Sequence, residues 1–318
     1  MNYSNLPFVS VIIPCRNEEK FISVCLNSII KNDYPKERLE ILVVDGMSED
    51  KTREIVEKYT RQYPFVKLLE NPKKITPAAM NIGIKNSKGE IIIKMDAHTI
   101  YEKDYISKCV KYLKESGADN VGGVLKSIPS DKTLIAKAIA ICLSHSFGAG
   151  GSYFRIGSKK IREVDTVSFG CYRKETFNQI GTYNENMVQS EDMELNQRLK
   201  KSGGRILLFP DIIAYYYPSS KNFKEFFLHN FQDGIWTIYP LKFGIRIFSF
   251  RHLLPLFFVL TFPLNFWLYF LVSLFFSFKI AFREKDFRFF FLMPIAFFCR
   301  HFGYGFGSLW GLVKIFSK

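Results

Sequence analysis

The chain has 318 residues, enough for one large α/β domain plus an appendage, and a formal charge of +14 with 16% aromatic residues. The charge is lopsided: residues 201–318 hold fourteen Lys and Arg against five acids, +9 of the total. In that region the aromatics form uninterrupted apolar runs with cations at their edges, which is the pattern of a membrane surface, so no nucleic-acid partner is expected.

The opening MNYSNLPFVSVIIPC has no basic stretch ahead of its apolar residues, so a cleaved signal is not expected. Six cysteines (15, 25, 109, 142, 171, 299) show no C-x-x-C pairing and read as buried thiols of a reducing compartment, with the catalytic part facing the cytosol. Phe8–Ile13 reads as a short strand ended by Pro14. The helix that follows has Glu18-Glu19 near its start and Phe21, Val24, Leu26, Ile29 and Ile30 on one side. Leu39–Val44 is nearly continuous in apolar residues, as a parallel strand buried on both faces should be. Asp45-Gly46 closes it, and Ser48 or Asp50 caps a helix running to about Tyr63. A strand over Phe65–Leu69, a helix over Ala78–Lys85 and a strand in IIIKMDAHT (91–99) complete a βαβαβα alternation. This predicts a Rossmann-like, doubly wound, mostly parallel sheet whose ligands lie beyond the carboxyl ends of its strands.

The last of these strands stops on Asp96-Ala97-His98. By itself a D-x-H triplet is more readily a solvated strand end than a metal site. Asp45 and Asp96, however, both project at the ligand edge of the predicted sheet. No G-x-G-x-x-G follows the first strand and no P-loop motif occurs, which argues against a dinucleotide enzyme or a P-loop NTPase. What remains is a nucleotide site built from strand-end carboxylates and a divalent metal. Oxygen donors with one imidazole suit Mn²⁺ or Mg²⁺ better than zinc.

Farther on, SFGAGGSYFR (146–155) reads either as a solvent-facing turn or as a loop closing over a diphosphate with Arg155 as an extra cation. Ser190-Glu191-Asp192 opens a helix marked by Leu195 and Leu199 and stopped at Gly203-Gly204. An acid pair in a first turn is good macrodipole chemistry and requires no function.

From Lys221 to Trp236, Phe223, Phe226, Phe227 and Phe231 with Lys221 and Lys224 point to an interfacial amphipathic helix. Leu253–Phe278 then runs for 26 residues without a charge. That length makes about 39 Å of helix, enough to cross a hydrocarbon core of about 30 Å. Pro255, Pro263 and Asn265 kink the span without forbidding it. The second run, Phe289–Val313, is broken by Arg300-His301 and by Gly303, Gly305 and Gly307, and reads as spanning, re-entrant or interfacial. The expected organisation is a catalytic domain over 1–220, an interfacial segment over 221–252 and a membrane region over 253–318. A chain ended before about Arg251 is expected to keep a folded catalytic domain.

VSVIIPCRNEE, ILVVDGMSEDKT, TPAAMNIGI, IIIKMDAHT, VDTVSFGCYRKETFNQIG and SEDMELNQRLKKSGGRI occur in this order. In that order, over roughly residues 8–240, the chain resembles family-2 glycosyltransferases of the GT-A fold. It looks most like the membrane-attached branch that includes the succinoglycan-assembly glucosyltransferase, where D-A-H replaces D-x-D. The resemblance implies that Asp45 reads the uracil or ribose of a nucleotide-sugar, with Pro14, Arg16 and Glu18 in the same pocket; Arg155 joins the donor side on the loop reading of 146–155. Gly46 stands where many relatives carry a second acid. Asp96 and His98 are implied as the metal-side pair. Asp192 is implied as general base with Glu191 beside it as orienter or acceptor contact, and Gly170 as an acceptor contact. Trp236, in NFQDGIW, reads either as a sugar-stacking platform or as an interfacial tryptophan.

The implied reaction is an inverting single displacement from a UDP-sugar to a polyprenyl-linked glycan, as in exopolysaccharide biosynthesis, at the cytoplasmic side of the cell membrane. A nucleotidyltransferase would need a Gly-rich, basic triphosphate loop where PCRNEE stands. The alternative is an inactive scaffold that binds nucleotide-sugar within a membrane assembly complex. Release of free nucleoside diphosphate separates it from the enzyme.

Overall fold

The computed structural model describes residues 6–317. The chain opens with β1 (Val9–Cys15), α1 (Ile22–Ile30), β2 (Leu39–Asp45), α2 (Thr52–Gln62), β3 (Val66–Glu70) and α3 (Thr76–Asn86). Next come β4 (Ile91–Lys94), β5 (Thr99–Tyr101), α4 (Tyr105–Ser116) and β6 (Asn120–Ser127). Helix α5 (Leu134–Ser144) and the single turns α6 (Ser146–Ala149) and α7 (Tyr153–Ile156) follow. The chain then forms β7 (Arg162–Glu163), β8 (Ser168–Arg173), α8 (Lys174–Ile180), α9 (Glu191–Lys201) and β9 (Ile206–Tyr216). It finishes with α10 (Phe223–Ile238), α11 (Phe250–Glu284) and α12 (Arg288–Phe316).

These elements form two compact units. The first runs to Leu125 and resumes over Gly157–Tyr216; the second takes Lys126–Ile156 and everything from Tyr217. The expected boundary at residue 220 is therefore only half of the division. The stretch 126–156 belongs with the C-terminal helices, because its apolar residues find their partners there.

In the first unit a nine-stranded sheet runs β3-β2-β1-β4-β8-β6-β9-β5, with β7 also on β9. The strands β3, β2, β1 and β4 are parallel, as the alternating pattern predicts. Beyond them β8 pairs antiparallel with β4 and β6, and β9 antiparallel with β5 and β7. Strand β1 runs two residues past its predicted end, with Pro14 paired opposite Val44. Every residue of β2 is buried, Glu40 included. That carboxylate accepts from Ser10 Oγ at 2.7 Å, Lys67 Nζ at 2.8 Å and Lys88 N at 2.6 Å, so a charge sits in the core fully partnered.

In the second unit Ala138, Ile139 and Cys142 of α5 and Phe226 of α10 pack with Phe289, Met293, Ala296 and Phe297 of α12. The segment read as interfacial thus turns Phe226, Asn230 and Gly234, spaced four apart, into the protein. A side chain at Gly234 would overlap the Tyr304 carbonyl, and one at Gly307 the Phe231 carbonyl, so α10 and α12 touch backbone to backbone. Helices α11 and α12 are both long and apolar enough to cross a membrane. Only 17% of the most apolar window of α11 is buried, and Leu264 and Trp267 are 88% and 72% exposed, which is not how a core helix packs. Pro255 and Pro263 lie inside α11 without ending it.

Candidate active site

The carboxyl ends of β1, β2, β3 and β4 and the first turn of α9 enclose a cavity of about 380 Å³ in the first unit. Pro14, Arg16, Glu18, Asp96, His98, Glu191 and Asp192, seven residues singled out in the sequence, all line it. This is the edge at which open α/β sheets hold ligands.

Residues the sequence reading passed over join them. Lys94, the last residue of β4, is 4% exposed at the cavity wall. Its Nζ donates to Glu191 Oε1 at 2.9 Å and Asp192 Oδ2 at 2.5 Å, so one ammonium ties the strand to the acid pair of α9. Burial works against that charge, but Asp192, Glu191 and Asp96 hold it well above the ordinary lysine range. Burial pushes the Glu191 carboxyl up; Lys94 pulls it back, and the Asp192 carboxylate leaves it above its usual value. Tyr183, buried, donates to Asp192 Oδ1 at 3.3 Å. The Asp192 side chain is 29% exposed and that of Glu191 12%, so Asp192 is the more accessible acid. Asn71, Lys74, Ile75 and Thr76 also line the cavity. The signal for Lys94 was available: a lysine inside a buried strand requires an acid partner.

Elsewhere on the cavity wall, His98 Nδ1 lies 2.9 Å from Glu18 Oε1. The carboxylate accepts, so Nδ1 carries the hydrogen, and in the neutral ring Nε2 keeps its lone pair. Burial alone would lower the imidazole, yet the Glu18 hydrogen bond and the Asp96 charge raise it. Burial pushes Asp96 up against the pull of Lys94 and His98. Its backbone N–H donates to Tyr101 Oη at 2.7 Å, which fixes the turn that carries the triplet. Glu18 thus holds His98 in place as well as lining the cavity.

Asp45 departs from expectation. It is fully buried and absent from the cavity wall, where Gly46 stands instead. Its carboxylate accepts from Ser48 N at 3.0 Å, from Ser48 Oγ and from Arg53 Nη1 at 3.3 Å. Those bonds secure the loop after β2. Gly170 lies inside β8, where an added Cβ would meet the Tyr172 ring at 2.6 Å and Asn120 Oδ1 at 2.7 Å. It lines no part of the cavity, so its placement gives no support to an acceptor contact. Arg155, in α7, and Trp236, in α10 and edge-on to Tyr239, belong to the second unit.

Asn17, Met47, Lys74 and Ser190 hold left-handed backbone, with φ between 57° and 60°. They are four of the six such non-glycine residues among those described, and each lines the cavity or adjoins a residue that does. Backbone strain is thus concentrated around this one site.

Comparison with known proteins agrees with the architecture. Over 96% of its length the chain is 27% identical to a dolichyl N-acetyl-α-D-glucosaminyl phosphate 3-β-D-2,3-diacetamido-2,3-dideoxy-β-D-glucuronosyltransferase of Methanococcus voltae, covering 98% of that protein. It is 29% identical to the succinoglycan biosynthesis protein ExoA of Rhizobium meliloti, over 73% of this chain and 74% of that one. Among solved structures, the mannosyltransferase PcManGT of Pyrobaculum calidifontis, in complex with GDP-Man and Mn²⁺, superposes with a TM-score of 0.56 at 20% identity. That match covers 73% of this chain and 63% of the other, and shows a shared GT-A fold. The model of Glycosyl transferase family 2 matches residues 10–181, which span β1 to α8 and most of the cavity wall. By that match the chain belongs to glycosyl transferase family 2 and is a sugar-transferring enzyme.

Proposed function

We propose that the protein is a membrane-attached, inverting glycosyltransferase that moves one sugar from a nucleotide-diphosphate sugar, a UDP-sugar first among them, to a polyprenyl-linked glycan. The observation that carries this reading is the shared Lys94 ammonium: it holds Glu191 and Asp192 in the same cavity as Asp96 and His98. Asp192, the more exposed acid, takes the proton of the acceptor hydroxyl, while Tyr183 and Lys94 keep its carboxylate turned toward the cavity. Glu191 shares Lys94 and orients the pair. Arg16 and Lys74 offer cations to the donor diphosphate, and Asn71 offers a polar side chain beside it.

Asp96 and the Nε2 of His98 suit a hard divalent cation such as Mn²⁺ or Mg²⁺. Among the described residues no three acidic, histidine or cysteine side chains form a cage, so an ion held by this pair would leave its other positions to ligands from outside the chain. When bound, the ion would neutralise charge on the departing diphosphate.

A lipid-linked acceptor is supported by the two apolar helices and by the dolichyl-linked acceptor in the name of the archaeal relative. Attachment at the cell membrane is supported by the same two helices, and a cytoplasmic active site by the six cysteines, all free thiols. Purified full-length protein in detergent, given a panel of nucleotide-sugars with Mn²⁺ or Mg²⁺, tests the reading by release of nucleoside diphosphate. Asp192→Asn is expected to keep donor binding and lose about 10²–10⁴-fold in transfer. Failure to bind or cleave any donor overturns the proposal; near wild-type transfer by Asp192→Asn removes Asp192 as the base.

A further inference from the structure

A second cavity, of about 310 Å³, lies wholly within the second unit. Its wall is mostly apolar, with Phe147, Pro255, Phe258 and Tyr269 prominent, yet Arg251 and Arg300 both reach it. Arg300 stands in the middle of α12, a helix apolar and long enough to cross a bilayer. A charge at such a position is costly and marks a functional site by default. The side chain is 18% exposed and firmly set: Nε donates to the Gly148 carbonyl at 3.3 Å, and Nη1 to Asn230 Oδ1, with the Asp233 carboxylate 3.7 Å away. Arg251 Nη1 donates to the Gly151 carbonyl at 2.9 Å. Both guanidiniums are therefore held by glycine carbonyls of the 148–151 stretch, which itself lines the cavity.

His301 adds shape, not charge. Its Nε2 donates to the Phe147 carbonyl at 2.8 Å and its Nδ1 meets Tyr269 Oη at 3.1 Å, so a neutral ring satisfies both partners.

An apolar cavity alone suits any hydrocarbon tail, and a guanidinium pair alone suits any free anion. The two together suit an amphiphile with an anionic head, since arginine forks match phosphate oxygens. The volume is at the low end for ligand pockets, about 300–1,000 Å³, and admits one chain where a glycerolipid would bring two. We propose that the Arg251–Arg300 cavity seats the phosphate and first isoprene units of an isoprenoid-linked acceptor. This deepens the lipid-linked acceptor reading above and rests on it.

The test is binding of farnesyl monophosphate to the full-length protein in detergent, compared with farnesol, inorganic phosphate and a short-chain phosphatidic acid. Farnesyl monophosphate is expected to bind at least about tenfold more tightly than each of the other three, and Arg251→Gln and Arg300→Gln to weaken it by about tenfold or more. Equal binding of farnesol reduces the site to a hydrocarbon slot; equal binding of inorganic phosphate reduces it to a free-anion site. Equal binding of phosphatidic acid reduces it to a general lipid site, and each of these results overturns the proposal. So does undiminished binding by the variants. Because Arg300 also holds Asn230, Arg300→Gln is liable to misfold; Arg251→Gln then decides alone. Nucleoside diphosphate release by the same unmutated preparation separates the two readings. Release without farnesyl monophosphate binding refutes this site only, whereas no release from any donor refutes the proposed function.

Discussion

Lys94 connects the acid pair of α9 to the strand that carries Asp96. Removing its charge leaves Glu191 and Asp192 facing each other, with Asp96 near and burial already opposing ionisation of Glu191 and Asp96. Breaking a buried pair of this kind costs about 3–5 kcal/mol. Lys94→Gln is therefore expected to lower the unfolding free energy by that order and to abolish transfer, with denaturant melts and donor turnover as the measurements. A variant as stable and active as the wild type would show that the ammonium is incidental. The residues that proved legible share a property: Asp96, His98, Glu191 and Asp192 all stand where a periodic pattern stops or starts. Lys94 stands inside a pattern, and only the burial of both faces of β4 makes it conspicuous. Asp45 was legible as a strand end, but its engagement by Ser48 and Arg53 depends on how the following loop folds back.

Among the elements, α12 differs most from its sequence reading. Its glycines resemble breaks in an apolar run, yet the helix continues through them from Arg288 to Phe316. They are where the neighbouring backbones come closest, which a one-dimensional pattern does not display. Gly307→Ala sets a methyl group against the Phe231 carbonyl. The expected cost is about 1–3 kcal/mol, or a forced separation of α10 from α12, read as a lower melting temperature in detergent. An unchanged melting temperature would mean that the two helices have room to spare. In the sheet, the parallel half was legible because β1 to β4 alternate with helices at short range. The antiparallel half was not, since β5 and β7 are two or three residues long and pair with β9 across large sequence distances.

For the molecule as a whole, the interleaving of the two units adds to the expectation that a chain ended before Arg251 keeps a folded catalytic domain: the part of the second unit that it retains loses its cover. Such a chain keeps Ala138, Ile139, Cys142 and Leu143 of α5 but loses Phe289, Met293, Ala296 and Phe297, which cover them. It is expected to aggregate or to hold detergent on gel filtration. A version that also replaces 126–156 with a short Gly/Ser link is expected to run as a dispersed species that still binds the donor. If the simple truncation is equally well behaved, α5 does not need α12.

The same interleaving sets a clock during synthesis. Cys142 of α5 is made more than 150 residues before Phe297 of α12, the side chain that shares its cluster. At about 5–20 residues per second the ribosome takes roughly 8–30 s to supply the partner. Hydrophobic collapse of a chain this size is over in far less than a second, so α5 has time to find the wrong surface many times over. The nascent chain must park that face during the interval, against a bilayer or a chaperone. Shielding of that face during the interval is therefore expected to bear on the yield of intact protein, alongside the stability of the finished fold.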